Sequence, residues 1–281
     1  MALLDVVGVT VKFGGITAVN DAEISVEPGS ITGLIGPNGA GKTTLFNVIS
    51  GLQPPTSGRV RFKNRDVTRW TVDHRAKAGM GRTFQRLEAF GSLTVRENVQ
   101  VARDIQAGAT SWLRRRKDKR VDELIELVGL TRYVDQRADS APTGVARLLE
   151  VARALAIEPD LLLLDEPSSG LDEAETEAFG ILLRDLAARG CAILMVEHDM
   201  GLVMGVCHLI HVLEFGKVIA TGTPLEIRAD RKVQAAYLGF SDDTAAVTVP
   251  ADVAAEATAI LGPPGVAETT LTIPTVQADV R

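Results

Sequence analysis

Along the first third of the chain, short apolar stretches alternate with turn residues. Residues 4–11, 22–26 and 59–62 alternate or are β-branched, and Gly14-Gly15, Glu27-Pro28-Gly29 and Pro54-Pro55-Thr56-Ser57-Gly58 separate them. This pattern predicts strands of an N-terminal, partly antiparallel sheet. Residues 31–35 predict a further strand, which runs into a glycine-rich turn and a helix over 42–50. Between about 93 and 158 the period becomes helical: Val121, Leu124, Ile125, Leu127 and Val128 share one face, and a further helix is expected from about 145 to 156. Residues 161–164 and 192–196 are continuous apolar runs that bracket a helix expected from about 173 to 188. That arrangement predicts buried parallel strands joined by a crossover helix, hence an α/β fold with a helical insert in its middle third.

Composition narrows the class. The chain has 281 residues, of which 46% are hydrophobic, 23% charged and 4% aromatic, enough for one large domain or two small ones. Its 30 Lys plus Arg against 36 Asp plus Glu leave a net charge of −6, which argues against a nucleic-acid partner that needs a basic face. The charge is uneven: residues 241–281 carry Asp242, Asp243, Asp252, Glu256, Glu268 and Asp279 against Arg281 alone, so the first 240 residues are close to neutral. That segment is rich in Ala, Thr, Val, Pro and Asp and is expected to be a flexible tail. No apolar run reaches the roughly 20 residues of a membrane span. The start lacks a basic, then long apolar, secretory pattern. Cys191 and Cys207 have no metal or redox spacing and suit a reduced cytoplasm. Arg114-Arg115-Arg116-Lys117-Asp118-Lys119-Arg120 is the densest basic run, read as a solvated face or a contact with anionic lipid headgroups.

Candidate chemistry begins at Gly36-Pro37-Asn38-Gly39-Ala40-Gly41-Lys42-Thr43-Thr44, which fits G-x-x-x-x-G-K-[ST] between a predicted strand and a predicted helix. Glycines let successive backbone N–H groups turn around phosphate oxygens, and the helix points its positive end at the same place. Lys42 is expected on the β- and γ-phosphates and Thr43 on Mg²⁺. Residues 161–164 deliver Asp165 and Glu166 at a strand's C-terminal end, where open α/β sheets bind ligands. Asp165 is the candidate Mg²⁺ ligand and Glu166 the group that polarises the attacking water. An acidic pair there also suits the cap of a following helix.

With these motifs the chain resembles the ATP-binding subunits of ABC transporters, because further family motifs follow in order. Gln85, in Arg82-Thr83-Phe84-Gln85, matches the Q-loop glutamine, which the resemblance places on Mg²⁺ and the attacking water. Ser169-Gly170-Leu171-Asp172 matches the D-loop, and His198, in Val196-Glu197-His198-Asp199, the switch histidine. Phe13 lies where the family sets an aromatic ring against adenine. The resemblance implies a P-loop ATPase core with an N-terminal antiparallel β subdomain and a helical subdomain at about 88–156, together forming one nucleotide-binding domain over 1–240.

Within the family, Val19-Asn20-Asp21, Leu93-Thr94-Val95-Arg96-Glu97-Asn98-Val99, Glu197-His198-Asp199-Met200 and Gly222-Thr223-Pro224-Leu225-Glu226-Ile227 look like the branched-chain amino acid importers. Related importers for urea and short amides share this likeness. It implies ATP and Mg²⁺ as cofactors, two membrane permease subunits, an extracytoplasmic solute-binding protein, and a peripheral place on the cytoplasmic face of the membrane. One motif departs. The family's LSGGQ signature falls on Ala141-Pro142-Thr143-Gly144-Val145, of which Gly144 alone survives, and Pro142 offers neither hydroxyl nor N–H. The family pairs one subunit's phosphate loop with the other's signature, with Gly144 and Asp172 on the dimer side. A weakened signature therefore implies a second ATPase subunit with an intact one. A soluble, non-transport ABC ATPase and a low-turnover regulatory subunit are the alternatives.

Overall fold

The computed structural model describes residues 2–83, 89–107 and 119–238. Phe84 and Gln85, most of the basic run and the 241–281 segment lie outside the described residues.

The expected antiparallel sheet forms in the order β2-β1-β4-β5 from β1 (Leu4–Phe13), β2 (Ile16–Val26), β4 (Ser57–Phe62) and β5 (Arg65–Asp66). Both β1 and β2 run further toward the Gly14-Gly15 turn than their apolar alternation does, because the hairpin keeps pairing to Phe13 opposite Ile16.

A second sheet has the order β10-β9-β3-β8-β7-β6. β3 (Ile31–Ile35), β7 (Leu161–Asp165) and β8 (Ala192–Val196) are wholly buried central strands, as their unbroken apolar runs require when both faces are covered. β6 (Met80–Arg82), β9 (Leu209–Glu214) and the antiparallel edge strand β10 (Lys217–Gly222) complete it. None of these three is evident from periodicity, since β6 has three residues and β10 is mostly half-exposed.

Alternate residues of the central strands face two cores. Leu162, Leu164, Ile193 and Met195 pack into the core beneath α5 (Thr143–Leu155), α6 (Glu173–Ala188) and α7 (Met200–Val206). Leu161, Leu163, Leu194 and Val196 face α1 (Lys42–Ser50) and the antiparallel sheet. The period of two thus sorts one sheet between helices on one side and α1 with the β subdomain on the other.

In the middle third, α3 (Val95–Ala107) and α4 (Lys119–Leu127) join α5, with Val121, Leu124 and Ile125 buried as the pattern predicts. α6 begins where Asp172 and Glu175 form a reciprocal capping box. α2 (Val72–Lys77), α8 (Pro224–Ala229) and α9 (Arg231–Leu238) complete the helices named here; Pro224 opens α8, where its missing N–H costs nothing.

Candidate nucleotide site

Strand order alone gathers the first group of site residues. β3, β8 and β7 are parallel neighbours, with Leu34 opposite Val196 and Val196 opposite Asp165. The segments that follow them, from Gly36, Glu197 and Glu166, therefore leave the same edge of the sheet side by side. The Glu166 amide donates to the Val196 carbonyl at 2.9 Å, which stitches two of these segments together.

The Gly36–Gly41 loop folds tightly against strand backbones. Gly36 has φ 148°, and a Cβ there would fall within bonding distance of the Leu213 carbonyl oxygen. Gly39 has φ 79° with nothing near its missing Cβ, so it serves backbone conformation alone. Ala40 accepts from the Gly216 amide at 2.8 Å, anchoring the loop to the β9–β10 turn. Gly41 is the N-cap of α1 and supplies no side-chain hydrogen bond; no acidic residue occupies the helix's first turn. The first-turn N–H groups around Lys42, Thr43 and Thr44 are thus left to an anion from outside. Pro37 and Lys42 belong to the same ring: the Lys42 ammonium donates to the Gly36 carbonyl at 2.5 Å and the Pro37 carbonyl at 2.9 Å. Burial lowers the Lys42 pKa from its ordinary value, and the neighbouring Glu166 charge opposes that shift. Asn38 is exposed at the loop's crest.

Asp165 ends β7 and is buried. Burial pushes its carboxyl above the ordinary range; the Arg82 guanidinium at 3.2 Å pulls the other way, and Glu166 adds to the rise. Glu166 sits at φ 47°, a left-handed conformation that an ordinary side chain adopts at a cost of order 1–3 kcal/mol and that gathers at functional positions. His198 follows β8 with its side chain 66% exposed. Phe13 lies half-exposed at the tip of the β1–β2 hairpin, and β2 lies against the phosphate loop, where a Cβ on Gly41 would strike the Ala18 carbonyl. Gln85 lies outside the described residues.

A second group assembles at the N-termini of α5 and α6. Gly144 stands in the first turn of α5, and a Cβ there would run into the Glu175 carboxylate. Asp172 is the N-cap of α6, accepting from the Glu175 amide at 2.8 Å. Arg147 donates to the Ser169 carbonyl at 3.3 Å, and a Cβ on Gly170 would meet the Thr143 side chain, so the start of α5 and the 169–172 segment lie together. Pro142 caps α5 without a side-chain hydrogen bond.

Three side chains that motif reading passed over join the first group. Glu197 takes backbone amides from both neighbouring loops, Arg82 grips Asp165, and the Thr83 hydroxyl accepts from the Asp165 amide at 3.4 Å. Glu197 follows an apolar strand just as Asp165 does, so the same pattern pointed to it. Nothing local distinguishes Arg82.

A ring of loop amides with one half-buried ammonium suits the oxygens of a polyphosphate. The Thr43 hydroxyl and the Asp165 carboxylate are hard oxygen donors of the kind Mg²⁺ takes. Among the described residues no group of three or more His, Cys, Asp or Glu side chains is placed to hold a metal ion. Mg²⁺ needs none, being held commonly by one or two carboxylates with phosphate oxygens.

Comparison with known proteins places the chain among nucleotide-binding proteins. The family profile described as ABC transporter matches residues 19–169, and that described as branched-chain amino acid ATP-binding cassette transporter matches 217–239. The high-affinity branched-chain amino acid transport ATP-binding protein LivG of Escherichia coli is 38% identical over 249 residues, covering 84% of this chain and 98% of LivG. The lipopolysaccharide export system ATP-binding protein LptB of Haemophilus influenzae is 34% identical over 239 residues, covering 85% of this chain and 98% of LptB. Among solved structures, an ATP-binding cassette of an ABC transporter in its ADP conformation superposes with a TM-score of 0.76 at 30% identity, covering 85% of this chain and 100% of that one. By its sequence and its fold alike, the chain belongs to the ABC transporter family as an ATP-binding subunit with ATPase activity.

Proposed function

We propose that the chain drives an importer for branched-chain or related amino acids. The observation that carries this reading is the match of residues 217–239 to the branched-chain amino acid profile, since overall identity to LivG and to LptB differs little. In this reading the loop amides and Lys42 bind the β- and γ-phosphates, while Phe13 packs on adenine. Thr43, Asp165 and Gln85 hold Mg²⁺, whose charge offsets that of the phosphates. Glu166 polarises the water that attacks the γ-phosphate in line, and His198 contacts the same phosphate.

Coupling needs a surface for the membrane subunits. Among the described residues no helix is long and apolar enough to cross a membrane. Leu52, Val72, Phe90 and Ile105, all exposed apolar side chains, border one groove that also contains Arg82 and Thr83. A permease segment seated there would touch the strand that leads toward Gln85. The subunit then lies peripherally on the cytoplasmic face, between the permeases and a second ATPase chain whose intact signature completes the site at Lys42. An extracytoplasmic binding protein supplies the solute.

The test is uptake. Deleting this chain from its native cell should abolish uptake of labelled leucine, isoleucine or valine. Re-expression should restore it, whereas the Glu166→Gln variant should not. Unaltered uptake of all three, with a defect in lipopolysaccharide delivery instead, would replace the importer with an exporter.

A further inference from the structure

We propose that Arg82 is a positioning residue that locks Asp165 to helix α1, and so sets two of the metal's protein ligands, Thr43 and Asp165, relative to each other. The inference rests on the reading of Thr43 and Asp165 as those ligands.

The two ligands come from different elements. Thr43 is in the first turn of α1 and Asp165 ends β7; no ladder of backbone hydrogen bonds joins a helix to a strand, so side chains must fix their relation. Arg82 ends β6, the neighbour of β7, and pairs opposite Leu163. Its guanidinium, on a side chain only 11% exposed, places Nη2 3.2 Å from Asp165 Oδ2 and 3.0 Å from Asn47 Oδ1. Nη1 donates to Ser50 Oγ, and the guanidinium carbon lies 4.8 Å from the centre of the Phe46 ring. Phe46, Asn47 and Ser50 are all on α1, so one planar cation spans the helix and the carboxylate. The next residue completes the grip: the Thr83 amide donates to the Leu163 carbonyl at 2.9 Å, and its hydroxyl accepts from the Asp165 amide.

A buried ion pair is by itself weak evidence for stability, since desolvation offsets most of the attraction. What this fork supplies is direction, because a guanidinium presents several donors in one rigid plane and an ammonium does not. Hydrogen bonds that orient a ligating carboxylate are commonly worth about 10–100-fold in metal affinity. The Asp165 contact has the form of such a bond.

The experiment measures metal binding in the full-length chain. Mn²⁺ is titrated into protein bound to a non-hydrolysable ATP analogue, free Mn²⁺ is followed by electron paramagnetic resonance, and analogue affinity is measured separately in chelator. Arg82→Met should weaken Mn²⁺ binding by about 10–100-fold, with Arg82→Lys intermediate. Metal-free analogue affinity should stay within about twofold. Asp165→Asn should weaken Mn²⁺ binding too, and adding Arg82→Met to it should cost less than about twofold more, because the two act through one carboxylate. Arg82→Lys keeps the charge and tests the idea should Arg82→Met fail to fold. Wild-type Mn²⁺ affinity in the Arg82 variants, with loss in Asp165→Asn, would overturn the role of Arg82 alone. Wild-type affinity in Asp165→Asn would overturn the ligand reading beneath it. Equal losses with and without metal would reduce Arg82 to general support of the loop.

Discussion

The buried carboxylate of Glu197 accepts a hydrogen bond from the Ser168 amide at 2.8 Å, joining the loop after β7 to the loop after β8. Its other oxygen accepts from the His198 and Asp199 amides at 2.9 and 3.3 Å. Glu197 is 1% exposed, so water cannot replace these bonds. The segments that present Glu166 and His198 are therefore tied together by buried hydrogen bonds. Glu197→Gln keeps the shape but turns an NH₂ group toward at least one amide donor. The expected cost is about 1–3 kcal/mol of stability, with ATP hydrolysis down by about tenfold or more, since 1.4 kcal/mol of misplacement is a factor of ten. Denaturant unfolding and phosphate release check this; unchanged hydrolysis in a destabilised variant would confine Glu197 to folding.

Gly36 and Gly39 should respond differently to alanine although three residues apart. At Gly36 the methyl meets the Leu213 carbonyl, whereas at Gly39 it meets open space and only the backbone conformation resists. Gly39→Ala should cost about 1–2 kcal/mol, the strain of a Cβ in the left-handed region. Gly36→Ala must displace the loop from β9 and should abolish nucleotide binding. Equilibrium binding of a fluorescent ATP analogue separates the two, and comparable affinities would show that the loop is not held by Leu213.

Lys42 and Glu166 interact electrostatically within one site, yet their removal should give opposite phenotypes. Lys42→Ala should lose nucleotide affinity, since the half-buried ammonium is the charge proposed to face the phosphates. Glu166→Gln should bind ATP normally and lose about 10²–10⁴-fold in hydrolysis, the usual contribution of a positioned general base. Binding and single-turnover assays on the same preparations decide it, and near-normal turnover in Glu166→Gln would remove the base from this position.

The α5 surface predicts an unequal pair. Pro142 supplies no side-chain hydrogen bond at the start of α5; on the proposed reading of residues 141–145 as a weakened signature, this chain lends a poor one to its partner. In the proposed pair with a second ATPase chain, Glu166→Gln here should remove most ATP hydrolysis, and the matching change in that chain should remove much less. Equal losses would point to two equivalent sites.

His211 gives a pH signature of folding. It is buried on β9, with Nδ1 2.9 Å from Thr221 Oγ1 and Nε2 3.3 Å from the Ser25 carbonyl, so it ties the two sheets together. Burial lowers its pKa below 6.5, opposed by the Ser25 backbone. The unfolded chain consequently takes up a proton first as pH falls. The stability that neutral His211 contributes is present above pH 6.5 and declines as the pH drops toward the lower folded-state value. His211→Gln should flatten the fall in unfolding free energy between about pH 7 and 5 that this linkage produces. Identical slopes in the two proteins would place the titration elsewhere.

Much of this architecture is legible from local pattern. The apolar runs at 161–164 and 192–196 become central strands because five or so consecutive buried residues suit a sheet covered on both faces, and α6 starts at Asp172 because Asp172 and Glu175 have capping-box spacing. The phosphate loop is legible for the same kind of reason, since its glycines, lysine and threonine act within nine consecutive residues. β6, β9 and β10 are not legible, because their pairing partners and not their own periodicity make them strands.

The chain's sequence by itself determined the α/β class, the order of the motifs and the candidate groups for the nucleotide site, all of which follow from residue type and short spacing. Tertiary structure alone decided that Arg82 meets Asp165 across 83 residues, that Glu197 joins two loops, and that His211 bonds a strand 186 residues away. These contacts exist only after the parallel strands have closed beside one another, and separation along the chain carries no information about which distant polar groups will share a buried space.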